Sequence, residues 1–104
     1  MALPTINLTV GYAKDLTLEQ VTSTDLDSTY TRVELRSEDL SDLVLSSADA
    51  AELEITGTGN VNVLVHMPSQ SVVNKRYKYY LAGISGGETV DLAGHGYIVV
   101  REEP

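Results

Sequence analysis

Short stretches of the chain alternate apolar and polar residues with a period of two. Ile6, Leu8 and Val10 alternate with Asn7 and Thr9, and Leu16 and Leu18 with Thr17 and Glu19. Val33 and Leu35 sit among Arg32, Glu34 and Arg36; Leu53 and Ile55 sit among Glu52, Glu54 and Thr56. Val61, Val63 and Val65 continue the pattern, followed by Tyr77, Tyr79 and Leu81, then Val90 and Leu92, then Ile98 and Val100. Successive side chains of a strand point to opposite faces, so each stretch predicts a strand with one face on a core and one in solvent. Val, Ile, Thr and Tyr supply most of these positions, as pleated, half-buried surfaces favour.

The punctuation between stretches agrees. Gly57-Thr58-Gly59-Asn60 predicts a hairpin loop with positive-φ positions. Gly86-Gly87 predicts a two-residue turn of type I′ or II′. Gly94-His95-Gly96 predicts one more turn before a separate last strand. Helical signal is slight. Ser46-x-x-Asp49 followed by alanines predicts one helical turn, whereas Thr17-x-x-Gln20 lies inside an alternating run and is read as strand. The polar, aperiodic residues 22–29 are expected to form a contact-making loop. About seven to nine short strands at regular spacing indicate an all-β protein, an antiparallel β-sandwich or a small barrel. Nothing marks a linker or a repeat, so residues 1–104 are read as one domain.

Composition narrows the chemistry. The 104 residues contain no cysteine, which removes disulfide scaffolds, zinc knuckles and thiol nucleophiles. Apolar residues at 42% and charged residues at 21% fit a globular chain, and a domain this long buries roughly 65% of its unfolded surface. No apolar run is long enough to span a membrane, and Met1-Ala2-Leu3-Pro4-Thr5 lacks the features of a signal peptide, so cytoplasmic synthesis is expected. Seven basic against 15 acidic residues leave a net charge of −8, which argues against nucleic acid as a partner. The one locally basic run is Lys75-Arg76-Tyr77-Lys78.

No constellation of catalytic residues emerges. Counting from Asp25, an EF-hand would need Gly where Tyr30 stands and Glu where Arg36 stands, so Asp25, Asp27, Glu38, Asp39 and Asp42 read as solvated loop acids. His66 and His95 stand alone in sequence; a zinc site would need them to meet a carboxylate such as Glu88 or Asp91. No Gly-x-Ser-x-Gly elbow accompanies the nine serines. Gly57-x-Gly59 is followed by a strand pattern where a dinucleotide loop needs a helix. Asn7-Leu8-Thr9 is a bare sequon match. The expectation is no enzyme, no cofactor and no resident metal.

Six tyrosines with neither Phe nor Trp suit thin cores and protein interfaces. In Tyr77-Lys78-Tyr79-Tyr80, period two sends Tyr77 and Tyr79 to the core and Lys78 and Tyr80 to the opposite face. The expected contact residues are therefore Lys78 and Tyr80 on that strand, with Asp25 and Asp27 in the 22–29 loop.

The order of features from about residue 30 to 100 resembles a known module. Asp42-Leu43-Val44-Leu45-Ser46-Ser47 precedes Glu54-Ile55-Thr56-Gly57 and a valine strand ending near Met67-Pro68. Tyr77-Lys78-Tyr79-Tyr80-Leu81, a glycine turn, Glu88-Thr89-Val90-Asp91-Leu92 and Gly96-Tyr97-Ile98-Val99-Val100 follow. This is similar to small immunoglobulin-like β-sandwich modules of tailed-phage virion proteins, such as the N-terminal module of baseplate upper proteins. The resemblance implies a structural component of a virion, in the capsid decoration, the head–tail joint or the tail and baseplate. Its partners would be other virion proteins or further copies in a symmetric assembly, with no membrane involved. A second reading, from a different class, is a small carbohydrate- or ligand-binding β-sandwich using Tyr80, His66 and loop acids.

Overall fold

The computed structural model describes residues 3–40, 42–71 and 74–103, with backbone alone for 74 and 75. Eight strands and one helical turn lie among them: β1 (Ile6–Thr9), β2 (Lys14–Leu18), α1 (Leu26–Thr29), β3 (Arg32–Ser37), β4 (Leu43–Ser46), β5 (Leu53–Thr56), β6 (Asn62–Met67), β7 (Asn74–Ser85) and β8 (Glu88–Arg101). They form a large sheet of five strands, ordered β1-β8-β7-β3-β4, and a small sheet of three, ordered β2-β6-β5. All pairings are antiparallel except that of β1 with β8. The protein is all-β.

Alternation explains why the sheets face each other. Ile6 and Leu8, Val33 and Leu35, Tyr79 and Leu81, and Ile98 and Val100 turn to one side of the large sheet and are buried. Leu18, Leu53, Val63, Val65 and Met67 do the same from the small sheet, and both sets join one core cluster. Burying each such side chain contributes about 1.5–3 kcal/mol. Sliding one strand by a residue would turn its whole apolar set into water, so the core also holds the register. Tyr79 is fully buried and Tyr77 packs partly buried against the cluster, as the alternation predicts.

Three local expectations are corrected. Gly94-His95-Gly96 does not separate two strands, because β8 runs through it as one 14-residue strand. Between the pairs Tyr80–His95 and Ala82–Asp91, β7 advances two residues while β8 advances four. Gly94 at φ +74° absorbs the excess as a bulge, and its N–H donates to Asp91 Oδ1 at 3.1 Å. The helical turn at Ser46–Glu52 is absent. There Ser46 Oγ accepts from the Ala48 N–H at 3.1 Å and Asp49 Oδ1 from the Ala51 N–H at 2.9 Å, side-chain bonds that favour turns over a helix. Helix occurs instead inside the 22–29 loop, where Asp25 caps α1 and Leu26 is wholly buried. β4 also went unpredicted, since Leu43-Val44-Leu45 is apolar without alternating; Val44 is an exposed edge residue.

The Gly86-Gly87 turn joins Ser85 directly to Glu88 with φ of +57° and +88°, the signs of type I′. Gly57, Gly59 and Asn60 likewise take positive φ between β5 and β6. Among the described residues no helix is long and apolar enough to cross a membrane.

Candidate functional site

The outer face of the large sheet carries the most distinctive surface. Because Val33, Leu35, Tyr79 and Leu81 point inward, Arg32, Glu34, Arg36, Lys78 and Tyr80 point outward. Register places Val44 opposite Arg36, Arg36 opposite Tyr80, and Tyr80 opposite His95, in one row across four strands. Lys78 lies opposite Tyr97 in the next row. Directly opposed side chains on one face of a sheet are near enough to interact.

Electrostatics hold this face in shape. Glu34, only 6% exposed, accepts from Arg32 Nε at 2.9 Å and from Arg36 Nε at 2.8 Å, with Arg36 Nη2 closing a second bond. Burial works to raise the Glu34 carboxyl, but the hydrogen bonds and charges of Arg32 and Arg36 outweigh it and hold the group below its ordinary range. The Arg36 guanidinium is raised in turn, first by its bond to Glu34 and further by the Tyr80 hydroxyl. Tyr97 receives the Arg76 guanidinium 3.8 Å above its ring and stands nearly perpendicular to the His95 ring, centroids 5.5 Å apart. A shallow depression lined by Arg36, Ser37, Glu38, Asp42, Leu43, Val44 and Tyr80 lies at the β3–β4 end of the face.

The outer face of the small sheet holds a second cluster. His66 pairs with Asp15 in the ladder, and Glu54 lies on the other flanking strand. Nδ1 of His66 is 2.8 Å from Asp15 Oδ1, and Nε2 is 2.9 Å from Glu54 Oε2. Bonds to Glu54 and then Asp15 raise the imidazole above its ordinary value. Each ring nitrogen thus already serves a different carboxylate. Among the described residues, no group of three or more His, Asp or Glu is arranged to hold a metal ion.

The four anticipated contact residues do not form one site. Lys78 and Tyr80 lie on the outer face of the large sheet, Lys78 exposed and Tyr80 half-buried. Asp25 and Asp27 lie at one end of the sandwich, where α1 leads into Arg32 opposite Ile84. From Ile84 to Lys78 the strand runs six residues, about 20 Å at ~3.3 Å per residue. Asp25 is occupied structurally: Oδ1 accepts from the Ser28 N–H at 3.0 Å, and Asn60 Nδ2 donates to Oδ2 at 3.2 Å. The Ser28 bond leads in holding the Asp25 carboxyl below its usual range. Asp27 is exposed in the first turn of α1. Of the basic run, Arg76 and Lys78 join the large-sheet face, while the Lys75 side chain lies outside the described residues.

Sequence reasoning missed Arg36, His95 and Tyr97 as members of this face, and it read both histidines as solitary. The partners of His66 lie on other strands, 51 and 12 residues away, so register decides them. One signal was available: Arg32-x-Glu34-x-Arg36 puts two cations and one anion on the same face of a strand. No family model matches this sequence, and no curated protein matches it significantly.

Proposed function

We propose that this chain is a non-enzymatic structural module of a tailed-phage virion, acting through protein–protein contacts in the capsid decoration, the head–tail joint or the tail and baseplate. The observation that carries the reading is the outer face of the large sheet. Half-buried Tyr80 and Tyr97 stand there beside Arg36 and Arg76, residue types enriched where proteins meet.

An immunoglobulin-like topology is part of the same reading. The small sheet β2-β6-β5 takes the places of strands B, E and D, and β8-β7-β3-β4 those of G, F, C and C′. In this correspondence β1 is a first strand that has crossed to lie parallel with the last. The features that carry the phage resemblance fall on β4, the end of β5, β6, β7 and β8 in that order, which also supports it.

Mass spectrometry of gradient-purified particles tests the proposal. The chain should appear at a fixed ratio to the major capsid or tail protein. Absence from particles, or selective binding on a glycan array, would refute the assembly role in favour of a ligand-binding one.

A further inference from the structure

On the outer face of the small sheet, three strands meet at one side chain. β6 lies at the centre, β2 and β5 at the edges, and His66 of β6 touches an acid on each. Its Nδ1 is 2.8 Å from Asp15 Oδ1 on β2, and its Nε2 is 2.9 Å from Glu54 Oε2 on β5. An ionised carboxylate only accepts, so each contact needs a proton on the ring nitrogen; a neutral imidazole has one N–H and the cation two. The geometry is therefore that of the imidazolium. The other acids and bases nearby are engaged elsewhere or lie further along. Glu52 turns its carboxylate to the Ser46 N–H at 3.0 Å, Lys14 sends its ammonium to the Asn7 carbonyl at 3.0 Å, and Glu19 follows the far end of β2. Among the described residues, no Lys or Arg occupies an outward position on these three strands, so no other cation can stand in for the ring.

We propose that His66 is a proton-operated latch on β2: charged, it ties both edge strands to β6, and on losing a proton it lets go of Asp15 while keeping Glu54. Exposure decides which bond survives. The Asp15 side chain is 69% exposed and that of Glu54 41%, so water replaces the ring more readily at Asp15. The neutral ring accordingly keeps its proton on Nε2 for Glu54. Its bare Nδ1 then faces Asp15, and two acceptors oppose each other across a gap that had held a hydrogen bond.

The strand that is let go is the one less able to hold itself. In β2 only Leu18, at its last position, is fully buried; Leu16 is partly buried, and Lys14, Asp15 and Thr17 are exposed. β5 is anchored by the wholly buried Leu53 and leads through the 57–61 turn straight into β6. Opening therefore starts at the Lys14–Leu16 end of β2, and the β6 backbone from Val65 to Met67 that pairs with it turns to water. Protonation favours the closed strand. With the carboxylates ionised, the hold is complete below the unfolded histidine value of about 6.5 and is lost as pH rises through the folded value, which Glu54 and then Asp15 raise. An exposed pair of this kind shifts a local equilibrium about 2–5-fold.

Amide hydrogen exchange read by NMR on the full chain, from about pH 5.5 to about pH 9, tests the latch, with rates converted to protection factors so that base catalysis drops out. As His66 titrates, protection of the β2 amides that pair with β6 should fall about 2–5-fold while that of the β5 amides holds. Nitrogen shifts of the neutral ring should place its proton on Nε2. Asp15→Asn offers the bare nitrogen an N–H, so β2 should stay closed through the whole range. Glu54→Gln offers an N–H at the other nitrogen and leaves Asp15 the one carboxylate on the ring. There the neutral ring should carry its proton on Nδ1, and β2 should again stay closed. Unchanged β2 protection through the wild-type titration overturns the proposal. So does a fall that persists in Asp15→Asn, a loosening of β5 together with or in place of β2, or a neutral wild-type ring protonated on Nδ1.

Discussion

Replacing Gly96 by Ala should loosen the N-terminal segment and destabilise the whole domain. Gly96 lies opposite Tyr79 in the β7–β8 ladder, and its φ is not positive, so the backbone itself would accept any residue. The constraint is steric. A Cβ there would sit 2.7 Å from Tyr79 Cε1, 2.8 Å from the Pro4 oxygen and 2.9 Å from the Leu3 oxygen. Two of those atoms are backbone, and Tyr79 donates its hydroxyl to the Pro4 oxygen at 2.6 Å, so ring and carbonyl cannot yield separately. Overpacking of this kind costs about 1–3 kcal/mol, and losing the Tyr79–Pro4 bond adds about 1 kcal/mol. Reduced freedom of the unfolded chain offsets about 0.4–1 kcal/mol. The net loss of about 1–3 kcal/mol corresponds to a fall in Tm of about 5–20 °C for a domain this size. Thermal and urea unfolding followed by circular dichroism measure it, and hydrogen exchange should quicken first in β1, which the Leu3–Pro4 segment leads into. Gly86→Ala is the control, since open space surrounds Gly86 and only its positive φ opposes a side chain. A Gly96→Ala protein that melts at or above the wild-type temperature, with β1 exchange unchanged, would refute the packing argument.

His66 links stability to pH. Its folded-state pKa is raised by Glu54 and Asp15, so its contribution is complete below the unfolded value of about 6.5 and is lost as pH rises through the folded value. Melting curves across that window should show the loss in the wild type and not in His66→Gln, and NMR titration should find the ring above its ordinary value. Glu34→Gln should cost about 1–3 kcal/mol in urea unfolding, because Arg32 and Arg36 lose the carboxylate that both grip. Asp25→Ala removes the cap of α1 and the tie to Asn60, at about 0.5–2 kcal/mol, and hydrogen exchange should quicken at the Ser28 N–H.

Local order was already legible in the chain. Period-two alternation located β1, β2, β3, β5 and β6, and the Gly86-Gly87 and Gly57–Asn60 turns followed from the need for positive φ. Such signals are readable because each rests on one residue's side-chain direction or backbone freedom. What misled were competing local codes. The Ser46 and Asp25 segments both offer a polar cap, and burial of Leu26, which no neighbour in sequence announces, gives the helical turn to the second. Gly94 looks like a chain reversal until β7 is set beside it, where it becomes a bulge.

The candidate site was half legible for the same reason. Lys78 and Tyr80 were assigned to one face by their spacing, but the row they join with Arg36 and His95 exists only once β3, β7 and β8 are in register. Alternation and glycine placement are properties of a chain read alone, so the amino-acid order by itself determined an all-β protein with an apolar side to each strand. Which strands become neighbours depends on burying all those sides at once. Tertiary structure alone therefore decided that His66 would bridge two acids and that Gly96 would lie beneath Tyr79.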